Sequence, residues 1–590
     1  MPDYEAPLSD IRFALEHLVD LAGLSKRPGF EHADPDTVFG LLDEFGRFVG
    51  EVLAPLDRIG DTVGSKFDPD THEVTTPPGW PDAYRKYVDA GWGSVSFPAE
   101  HGGGGFPWLV TIAMQEMLTA SNMAWSLCPL LTQGAIDMLL HHGSEEQQET
   151  YLRRMVSAEW TGTMNLTEPQ AGSDVGALTT RATPTDDGTW RISGQKIFIT
   201  YGEQDMTDNI VHLVLARTPD APPGTRGISC FIVPKFLVND DGSLGAHNGV
   251  TCIGIEHKMG IHASPTCTLE YDDAVGYLIG GEPNEGMRQM FTMMNTARLS
   301  VGLSGLAVGE LAYQQALDYA GERHQGRAVG AAAGVSSPII EHADVRRMLL
   351  TMRSTIEAMR GLVYANAEAI DLARHGDDEG ARTAASELGD LLTPVTKAWC
   401  TDMGTEIASL AVQIHGGMGF IEETGIAQRY RDIRIAAIYE GTNGIQAMDL
   451  VGRKLPMRAG GVVSDFLDRL AAAGAELTTG RDEYVAAVDA LRDTTTQLLT
   501  NAATDPNNAL AAATPYLRMF GIVAGGWVMA RQAIAAQRLA VDDPQREPKL
   551  TTARFYLEQL LPQVHGLRAA ATAGSAALFA LSPDQLRSTR

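Results

Sequence analysis

The spacing of apolar residues divides the chain into helical and strand-forming stretches. Up to about residue 160, apolar side chains recur at helical intervals in the segments 11–24, 37–56 and 111–131. From about 161 to 280, short runs rich in β-branched and aromatic residues lie between Asp, Gly and Pro turns, at 190–200, 209–218 and 227–236. The pattern therefore predicts a β domain inserted between helical regions.

Helical spacing returns after residue 280 and continues towards the end of the chain. A segment from about Asn284 to Arg323 would form a helix of roughly 60 Å at 1.5 Å per residue, long enough to cross a domain or an interface. Beyond Gly460 the chain is rich in alanine and is broken by polar turns, which predicts an appended helical domain. The predicted domains are 1–160, 161–280, 281–457 and 458–590.

Length and charge narrow the class of protein. A chain of 590 residues exceeds a single hydrophobic core, so several domains are expected. The hydrophobic fraction of 44% and the charged fraction of 20% argue against disorder. The formal charge of −28 opposes general binding to nucleic acid or to anionic membrane surfaces.

Cysteine usage and hydropathy predict a cytoplasmic protein. The five cysteines form no CxxC pair and have no histidine at metal-binding spacing, so we expect neither a metal site nor disulfides, and a reducing compartment. The N-terminus lacks a basic segment followed by an apolar core, and no apolar run approaches the roughly 18 residues of a spanning helix. Gly525 and Gly526 favour close helix packing over lipid exposure in the appended domain. We therefore expect no integral membrane association.

The segment MNLTEPQAGSDVGALTTRA, residues 164–182, is the first candidate for chemistry. Thr167, Ser173 and Asp174 offer hydroxyl or carboxylate groups at the entry to the β domain. Its glycines would let a flat or phosphorylated ligand approach the backbone. From the residues alone, a turn capped by Ser and Asp is an equal interpretation.

Two further signals lie in the helical region. In QIHGGMGF, residues 413–420, an apolar helix ends in Gly416 and Gly417, which either cap the helix or leave its end open to a ligand. Arg298 and Arg323 occur on one long apolar helix. A single arginine usually forms a surface ion pair, but two arginines on such a helix are less easily explained in that way.

The sequence YEGTN, residues 439–443, places one carboxylate on a turn between an apolar stretch and a new helix. Thr442 can cap that helix, whose predicted inward residues are Ile445, Met448, Val451 and Leu455. Glu440 is a candidate general base. A solvated Glu stabilised by the helix dipole is the alternative interpretation of this residue alone.

Taken in order over about residues 40–455, these motifs together with ERHQGR and KIFIT resemble the acyl-CoA dehydrogenase family. The resemblance implies an α+β fold with a helical N-terminal domain, a middle β domain and a four-helix C-terminal domain, here followed by an extra helical domain. It also implies FAD bound between the domains and a neighbouring subunit, in a homodimer or larger assembly. A narrower resemblance, carried by MNLTEPQAGSDVGAL and EHKMGIHASPTC, is to the clade of long bacterial members that includes 3-methylmercaptopropionyl-CoA dehydrogenase.

The activity implied by this resemblance is FAD-dependent α,β-dehydrogenation of an acyl-CoA thioester to the trans-2-enoyl-CoA. Electrons would pass to an electron-transfer flavoprotein, and the substrate would be 3-methylthiopropanoyl-CoA or a fatty acyl-CoA. An acyl-CoA oxidase that uses oxygen is the nearest alternative. A flavin-bearing relative that binds DNA or protein is a second, which the acidic charge opposes, and a helical scaffold with an idle active site is a third.

The resemblance also assigns roles to individual positions. Glu440 matches the catalytic base, and the backbone N–H of this residue would help to polarise the thioester. Positions that match flavin or FAD contacts are Met164, Leu166, Thr167, Ser173, Phe198, Thr200, Arg323, Gln325, Gln413, Gly416, Gly417 and Thr442. Positions that match substrate contacts are Ser173, Asn295, Arg298 and Gly441.

Three positions bear on these assignments. Some branches of the family keep their base immediately before the arginine at 298, where this chain has Ala297, so Glu440 is the only candidate base. Asn295 replaces an acidic CoA contact of some members, and Ala343 stands where some have a Gln that reaches FAD. The resemblance therefore supports the base more strongly than the CoA and adenine contacts.

Overall fold

The chain forms two compact units in a computed structural model that describes residues 4–587. One unit comprises Met1–Ala6 and Gly40–Ser300, and the other comprises Pro7–Phe39 and Val301–Arg590. Residues 7–39 therefore cluster with the C-terminal half of the chain. The four domain boundaries predicted from the sequence stay a prediction, because the two units do not resolve them.

Helices make up most of the chain, as the apolar spacing predicts. Their bounds are α1 (Leu8–His17), α2 (Leu21–Leu24), α3 (Pro35–Phe48), α4 (Ala54–Val63), α5 (Trp80–Asp89), α6 (Trp108–Ser121), α7 (Met123–His142), α8 (Glu145–Val156), α9 (Gly286–Glu322), α10 (Ala343–His375), α11 (Glu379–His415), α12 (Ile426–Ile433), α13 (Asn443–Asp449), α14 (Gly461–Glu476), α15 (Arg481–Thr504), α16 (Pro506–Arg538), α17 (Arg546–Phe555) and α18 (Gln563–Thr572). The 37 residues of α9 confirm the long helix. Arg323 follows the last residue of α9, although its N–H still donates to the Tyr319 carbonyl at 2.8 Å.

The strands lie in the first unit, and most of them form one sheet. Their bounds are β1 (Lys66–Phe67), β2 (Val74–Thr75), β3 (Trp160–Asn165), β4 (Arg181–Pro184), β5 (Trp190–Thr200), β6 (Asn209–Ala216), β7 (Ser229–Pro234), β8 (Phe236–Val238), β9 (Leu244–His247), β10 (Val250–Ile255) and β11 (Thr266–Leu278). The seven-stranded sheet has the order β3-β6-β7-β11-β5-β4, and β10 pairs with β11. Only β3 and β6 pair in parallel among its described strands. The runs predicted as strands coincide with β5, β6 and β7.

The sheet buries a core of β-branched and aromatic side chains. Ile192 and Ile199 of β5 pack with Val214, Phe231 and Leu269 from neighbouring strands, and each is at most 2% exposed. Complete burial of such a side chain stabilises the fold by about 1.5–3 kcal/mol. The apolar side chains of these strands therefore mark the buried face of the sheet, and the alternation along β5 is interrupted where its pairing with β11 shifts register between Lys196 and Ile199.

Two helices are long and apolar enough to span a membrane by length and composition, contrary to the expectation that no run comes close. They are α7 and α16, and 94% and 78% of their most apolar windows are buried inside the protein. Buried core helices of globular proteins have the same composition, because a helix surrounded by protein is apolar on every side. Length and composition alone are thus weak evidence that either helix spans a membrane.

Glycines of α16 allow neighbouring elements of the second unit to pack closely against it. A Cβ at Gly525 would lie 2.8 Å from Trp399 Cη2, and a Cβ at Gly526 would lie 3.0 Å from Leu561 Cδ1. Trp399, on α11, is almost completely buried. The prediction that these glycines mark close helix packing is confirmed.

A buried ion cluster ties the N-terminal helix to the second unit. Lys549 of α17 donates to Asp10 of α1 at 2.6 Å and to Glu357 of α10 at 3.1 Å. Glu357 also accepts a hydrogen bond from Gln532 at 2.7 Å. Burial would raise the pKa of Asp10, but Lys549 and nearby arginines lower that pKa to about 2. Because these groups are paired, α1 is held against α10 and α17.

We expect Gly525→Ala to lower the unfolding temperature, because the new methyl group would overlap the Trp399 ring and overpacking costs about 1–3 kcal/mol. Gly566→Ala is the control, since Gly566 is an exposed glycine of α18 with open space around its Cβ position. That change should be neutral or slightly stabilising, because Ala is the better helix former. Thermal unfolding followed by circular dichroism measures both variants, and equal behaviour would contradict the packing argument.

Candidate functional site

The loop that follows β3 is held by a buried ion pair. Glu168 accepts a 2.8 Å hydrogen bond from Nζ of Lys196 on β5, and both side chains are almost completely buried. The same carboxylate accepts from the backbone N–H of Thr179 at 2.7 Å and of Thr180 at 3.0 Å. Lys196 Nζ also donates to the carbonyl of Leu166 at 3.1 Å. Glu168 therefore closes the loop between residues 166 and 180 and fastens it to the sheet.

Ion pairing opposes the cost of burying these two charges. Burial would raise the pKa of Glu168, yet Lys196 and the surrounding donors lower that pKa from its ordinary value of 4.5 to about 2. Burial lowers the pKa of Lys196 from 10.5 to about 8, against the opposing effect of Glu168. Both groups remain ionised at neutral pH, so the loop keeps its strongest anchor there.

The end of β5 presents an aromatic side chain in an unusual backbone conformation. Phe198 has a φ of 61°, which is uncommon for a bulky residue, and its side chain is 56% exposed between two more buried neighbours. The N–H of Ile197 donates to the carbonyl of Thr167 at 2.9 Å, which joins this strand end to the loop. Thr200 is partly buried opposite Thr266 of β11. Strained residues of this kind persist where the surroundings fix them, often at ligand sites.

The predicted flavin positions at this end of the sheet share partial exposure. Met164, at the end of β3, and Leu166 and Thr167, at the start of the loop, are neither buried nor fully exposed. The backbone bond between Thr167 and Ile197 brings them to the same strand end as Phe198 and Thr200. Ser173 lies on the exposed part of the loop.

Two of the predicted substrate residues of the first unit, Asn295 and Arg298, lie on one turn of α9. Arg298 is buried, its Nη1 lies 3.4 Å from Asn295 Oδ1, and its guanidinium lies over the Phe291 ring at 5.7 Å. Asn295 itself is exposed. Ala297, between them, is buried and provides no titratable group. Arg298 is thus a cation on a largely apolar helix, held by its immediate neighbours.

In the second unit, Glu440 occupies a turn of two left-handed residues. Its φ is 56° and that of Gly441 is 82°, so the chain reverses sharply here. Such a conformation costs roughly 1–2 kcal/mol for a residue with a Cβ. Thr442 then caps α13 as predicted, because its Oγ1 accepts a hydrogen bond from the Ile445 N–H at 3.1 Å. Glu440 remains partly exposed, as a base that must meet a substrate would be.

Two side chains of α13 hold this turn. Gln446, which is fully buried, donates from Nε2 to the Gly441 carbonyl at 3.2 Å and lies 3.5 Å from the Glu440 carbonyl. Asn443 donates from Nδ2 to the Ala398 carbonyl at 3.1 Å on α11. The predicted inward stripe of this helix is wrong at Met448, which is 45% exposed. The buried residues of this helix are instead Gln446, Ala447 and Asp449, and a π-helical segment follows from Leu450.

A pocket of about 450 Å³ brings together four of the predicted FAD residues of the second unit. Arg323, Gln325, Gly416 and Gly417 line it, with Tyr319, Ile339, Ile414, His415 and Met418. The rings of Tyr319 and His415 stack within the wall, with centroids 4.2 Å apart. Gln413 is exposed one helical turn earlier, and its carbonyl accepts the Gly416 N–H. The pocket therefore combines an arginine, bare backbone and an aromatic wall.

Sequence reasoning missed the residues that hold these loops. Glu168, Lys196 and Asn443 lie inside motifs described above, and Tyr319 and Gln446 lie beside others. Lys196 offered a signal, because it shares the buried face of β5 with Ile192 and a buried lysine requires an acidic partner. For Asn443 and Gln446 no such signal exists, because their partners are backbone carbonyls and side chains distant in sequence.

Models of the N-terminal, middle and C-terminal domains of acyl-CoA dehydrogenase match residues 42–159, 163–274 and 284–455. A model described as acetyl-CoA dehydrogenase C-terminal like matches residues 461–582. The 3-methylmercaptopropionyl-CoA dehydrogenase of Ruegeria pomeroyi is 47% identical, over 95% of this chain and 96% of that protein. The chain belongs to the acyl-CoA dehydrogenase family.

Other members of the family match over nearly their whole length. A butyryl-CoA dehydrogenase of Syntrophomonas wolfei is 38% identical over 98% of both chains. The structure of a Bacillus anthracis acyl-CoA dehydrogenase complexed with FAD has a TM-score of 0.72, with 94% of this chain and 91% of that chain covered. Its 21% identity shows the fold alone. The expected fold, with an extra C-terminal domain, is confirmed, and the protein is an oxidoreductase that acts on acyl-CoA.

We expect Glu168→Gln to destabilise the protein by about 3–5 kcal/mol at neutral pH, because it leaves the buried Lys196 without its counter-ion. Since the pKa of Glu168 is lowered from 4.5 to about 2, its contribution is complete above pH 4.5 and is lost as the pH falls towards 2. The difference in urea unfolding between wild type and variant should therefore narrow below pH 4.5.

Glu270→Gln is the matched control, since Glu270 is an exposed carboxylate on β11 in the same sheet. That change should alter stability by less than about 0.5 kcal/mol. Comparable losses for the two variants would show that Glu168 is not a specific anchor.

Proposed function

We propose that this protein is an FAD-dependent acyl-CoA dehydrogenase that converts an acyl-CoA thioester into the trans-2-enoyl-CoA, with Glu440 as the base. The observation that carries this proposal is the left-handed turn at Glu440 and Gly441, whose backbone is held by Gln446 and which presents a partly exposed carboxylate just before the Thr442 cap. In a family whose members oxidise acyl-CoA, such a carboxylate is suited to proton abstraction.

In the proposed reaction, Glu440 accepts the α-proton of the thioester while the β-hydrogen leaves with its electron pair and the C=C bond forms. FAD supplies the chemistry that the side chains lack, since it accepts the hydride. The backbone N–H of Glu440 binds the thioester carbonyl oxygen and stabilises the negative charge that develops as the α-proton leaves. One residue thus removes the proton and helps to lower the cost of removing it.

The residues of this chain fit FAD at two places. The exposed Phe198 ring, next to Thr167 and Thr200, offers a flat apolar surface and hydroxyl groups to an isoalloxazine. The pocket at Gly416 and Gly417 offers bare backbone, and Arg323 offers a guanidinium that suits a pyrophosphate. Met164, Leu166, Ser173, Gln325, Gln413 and Thr442 complete the proposed FAD set, and Ser173, Asn295, Arg298 and Gly441 the proposed substrate set.

We propose a homodimer or larger homo-oligomer in which the glycine-turn pocket of one subunit receives FAD held by its partner. The support is the apolar surface beside that pocket, where Phe420 is 88% exposed and Met418 and Ile421 are about half as exposed. Isolated exposed aromatics are common, but a cluster next to a ligand pocket is typical of an interface. A monomeric mass for the FAD-loaded protein by light scattering would refute the oligomer.

The proposed electron acceptor is an electron-transfer flavoprotein, because the full-length relatives are named dehydrogenases. For the substrate we propose 3-methylthiopropanoyl-CoA or a fatty acyl-CoA, on the basis of the same relatives. We also propose a cytoplasmic location, which the five buried free thiols support. Cell fractionation that recovers the protein outside the cytoplasm would argue against that location.

We expect Glu440→Gln to retain FAD and to lower kcat by at least about 10³-fold, because the amide keeps the shape of the carboxylate but cannot take a proton. Glu423→Gln, which alters an exposed carboxylate of the same unit, should leave kcat unchanged. Flavin absorbance and acceptor-dependent turnover measure the two properties separately. Turnover near wild type in Glu440→Gln would rule out the assigned base.

Turnover of short-chain, long-chain and 3-methylthiopropanoyl-CoA thioesters, measured with and without an electron acceptor, tests the proposed substrate and the proposed acceptor. We expect turnover to require an added electron acceptor and to release little hydrogen peroxide, with the highest kcat/KM identifying the acyl group that fits the pocket. Rapid peroxide release with acyl-CoA alone would instead favour an acyl-CoA oxidase.

A further inference from the structure

A fully buried lysine lies beneath the turn that carries Glu440. Lys397 is on α11, and its Nζ donates a 2.8 Å hydrogen bond to Oδ1 of Asn443, the first residue of α13. A lysine amino group can only donate, so its position requires the oxygen of the amide to face it. The Nδ2 of Asn443 consequently faces the other way, and donates to Asp402 Oδ1 at 2.7 Å and to the Ala398 carbonyl at 3.1 Å.

This arrangement fixes the chain three residues after Glu440. With Asn443 held on α11 and Gln446 bound to the Gly441 carbonyl, the turn is restrained by side chains from the helix that follows it. The restraint matters because Glu440 has a strained, left-handed backbone that would relax without it. The orientation of the Asn443 amide is therefore coupled to the position of Glu440.

We infer that Lys397 is a positioning residue for Glu440, acting through Asn443. This inference rests on the proposed function, in which Glu440 is the base. Lys397 has no contact with substrate in this role. It keeps the carboxylate and its backbone N–H where they meet the α-carbon and the thioester oxygen, and a displacement of about 1 Å there can cost about 10²-fold in rate.

The first experiment uses Lys397→Met, which keeps much of the side-chain volume and removes the donor. We expect kcat per bound FAD to fall about 10- to 100-fold, with KM within about twofold and the isotope effect for α-deuterated substrate increased. The increase is expected because a misplaced base slows proton abstraction in particular. A merely structural role would lower FAD content or the unfolding temperature and leave kcat per bound FAD and the isotope effect unchanged.

Thr396→Val is the matched control on the same helix. Thr396 is also fully buried, but its hydroxyl accepts a hydrogen bond from Asn366 at 3.3 Å rather than serving the turn. The control should lose some stability and keep wild-type kcat. An equal fall in kcat for both variants would overturn the inference, because any buried polar group of α11 would then have the same effect.

A double-mutant cycle with Asn443→Leu tests the route of the effect. If Lys397 acts through Asn443, the double variant should have the kcat of the more damaged single variant. If the two residues act independently, the fold losses in kcat of the two single variants should multiply. Multiplied losses overturn the inference, and so does a Lys397→Met variant with kcat within twofold of wild type. Should Lys397→Met fail to fold, Asn443→Ala is judged by the same criteria for kcat and isotope effect.

Comparison with Glu440→Gln separates this inference from the proposed function. If Glu440→Gln abolishes turnover and Lys397→Met does not lower it, only the positioning role is wrong. If Glu440→Gln retains turnover, the proposed base itself is wrong, whatever Lys397→Met does.

Discussion

Three buried lysines must each have a hydrogen-bond partner, and this requirement fixes the positions of three segments of the chain. Lys196 holds the loop after β3 through Glu168, Lys397 holds the turn at Glu440 through Asn443, and Lys549 holds the N-terminal helix through Asp10. A buried amino group without a partner costs several kcal/mol, so each lysine specifies one position for the segment it binds. These interactions contribute modestly to net stability, yet they decide where three segments distant in sequence must lie.

The hydrogen bonds of Lys196 and Lys397 lie close to residues with a strained backbone. Phe198 and Glu440 both adopt left-handed conformations that favour glycine, and each lies beside one of the anchored segments of its own unit. Strain of this kind persists only when the surroundings leave no alternative. The protein thus presents an aromatic ring and a carboxylate on backbone segments that are held in fixed conformations.

Much of the fold could be predicted because its signals are local. The strands β5, β6 and β7, the long α9 and the cap at Thr442 follow from residue spacing and side-chain chemistry within a few positions. Met448 was assigned to the buried face from helical spacing, whereas the buried residues of α13 are Gln446, Ala447 and Asp449. No apolar run was expected to approach spanning length, whereas α7 and α16 are long and apolar enough, and most of each is buried. Both errors concern how an element packs rather than whether it exists.

The sequence by itself determined the family resemblance and the candidate residues, since Glu440, Arg323 and the paired glycines at 416 and 417 stand in motifs whose residue types and order can be read directly. Only the tertiary structure decided what holds them. It placed Arg323 and Gly416 in one pocket, set Lys397 beneath Asn443, and put residues 7–39 with the C-terminal unit. The physical reason is that a motif is recognised from neighbours in sequence, whereas a buried hydrogen bond joins residues whose separation along the chain no local pattern records.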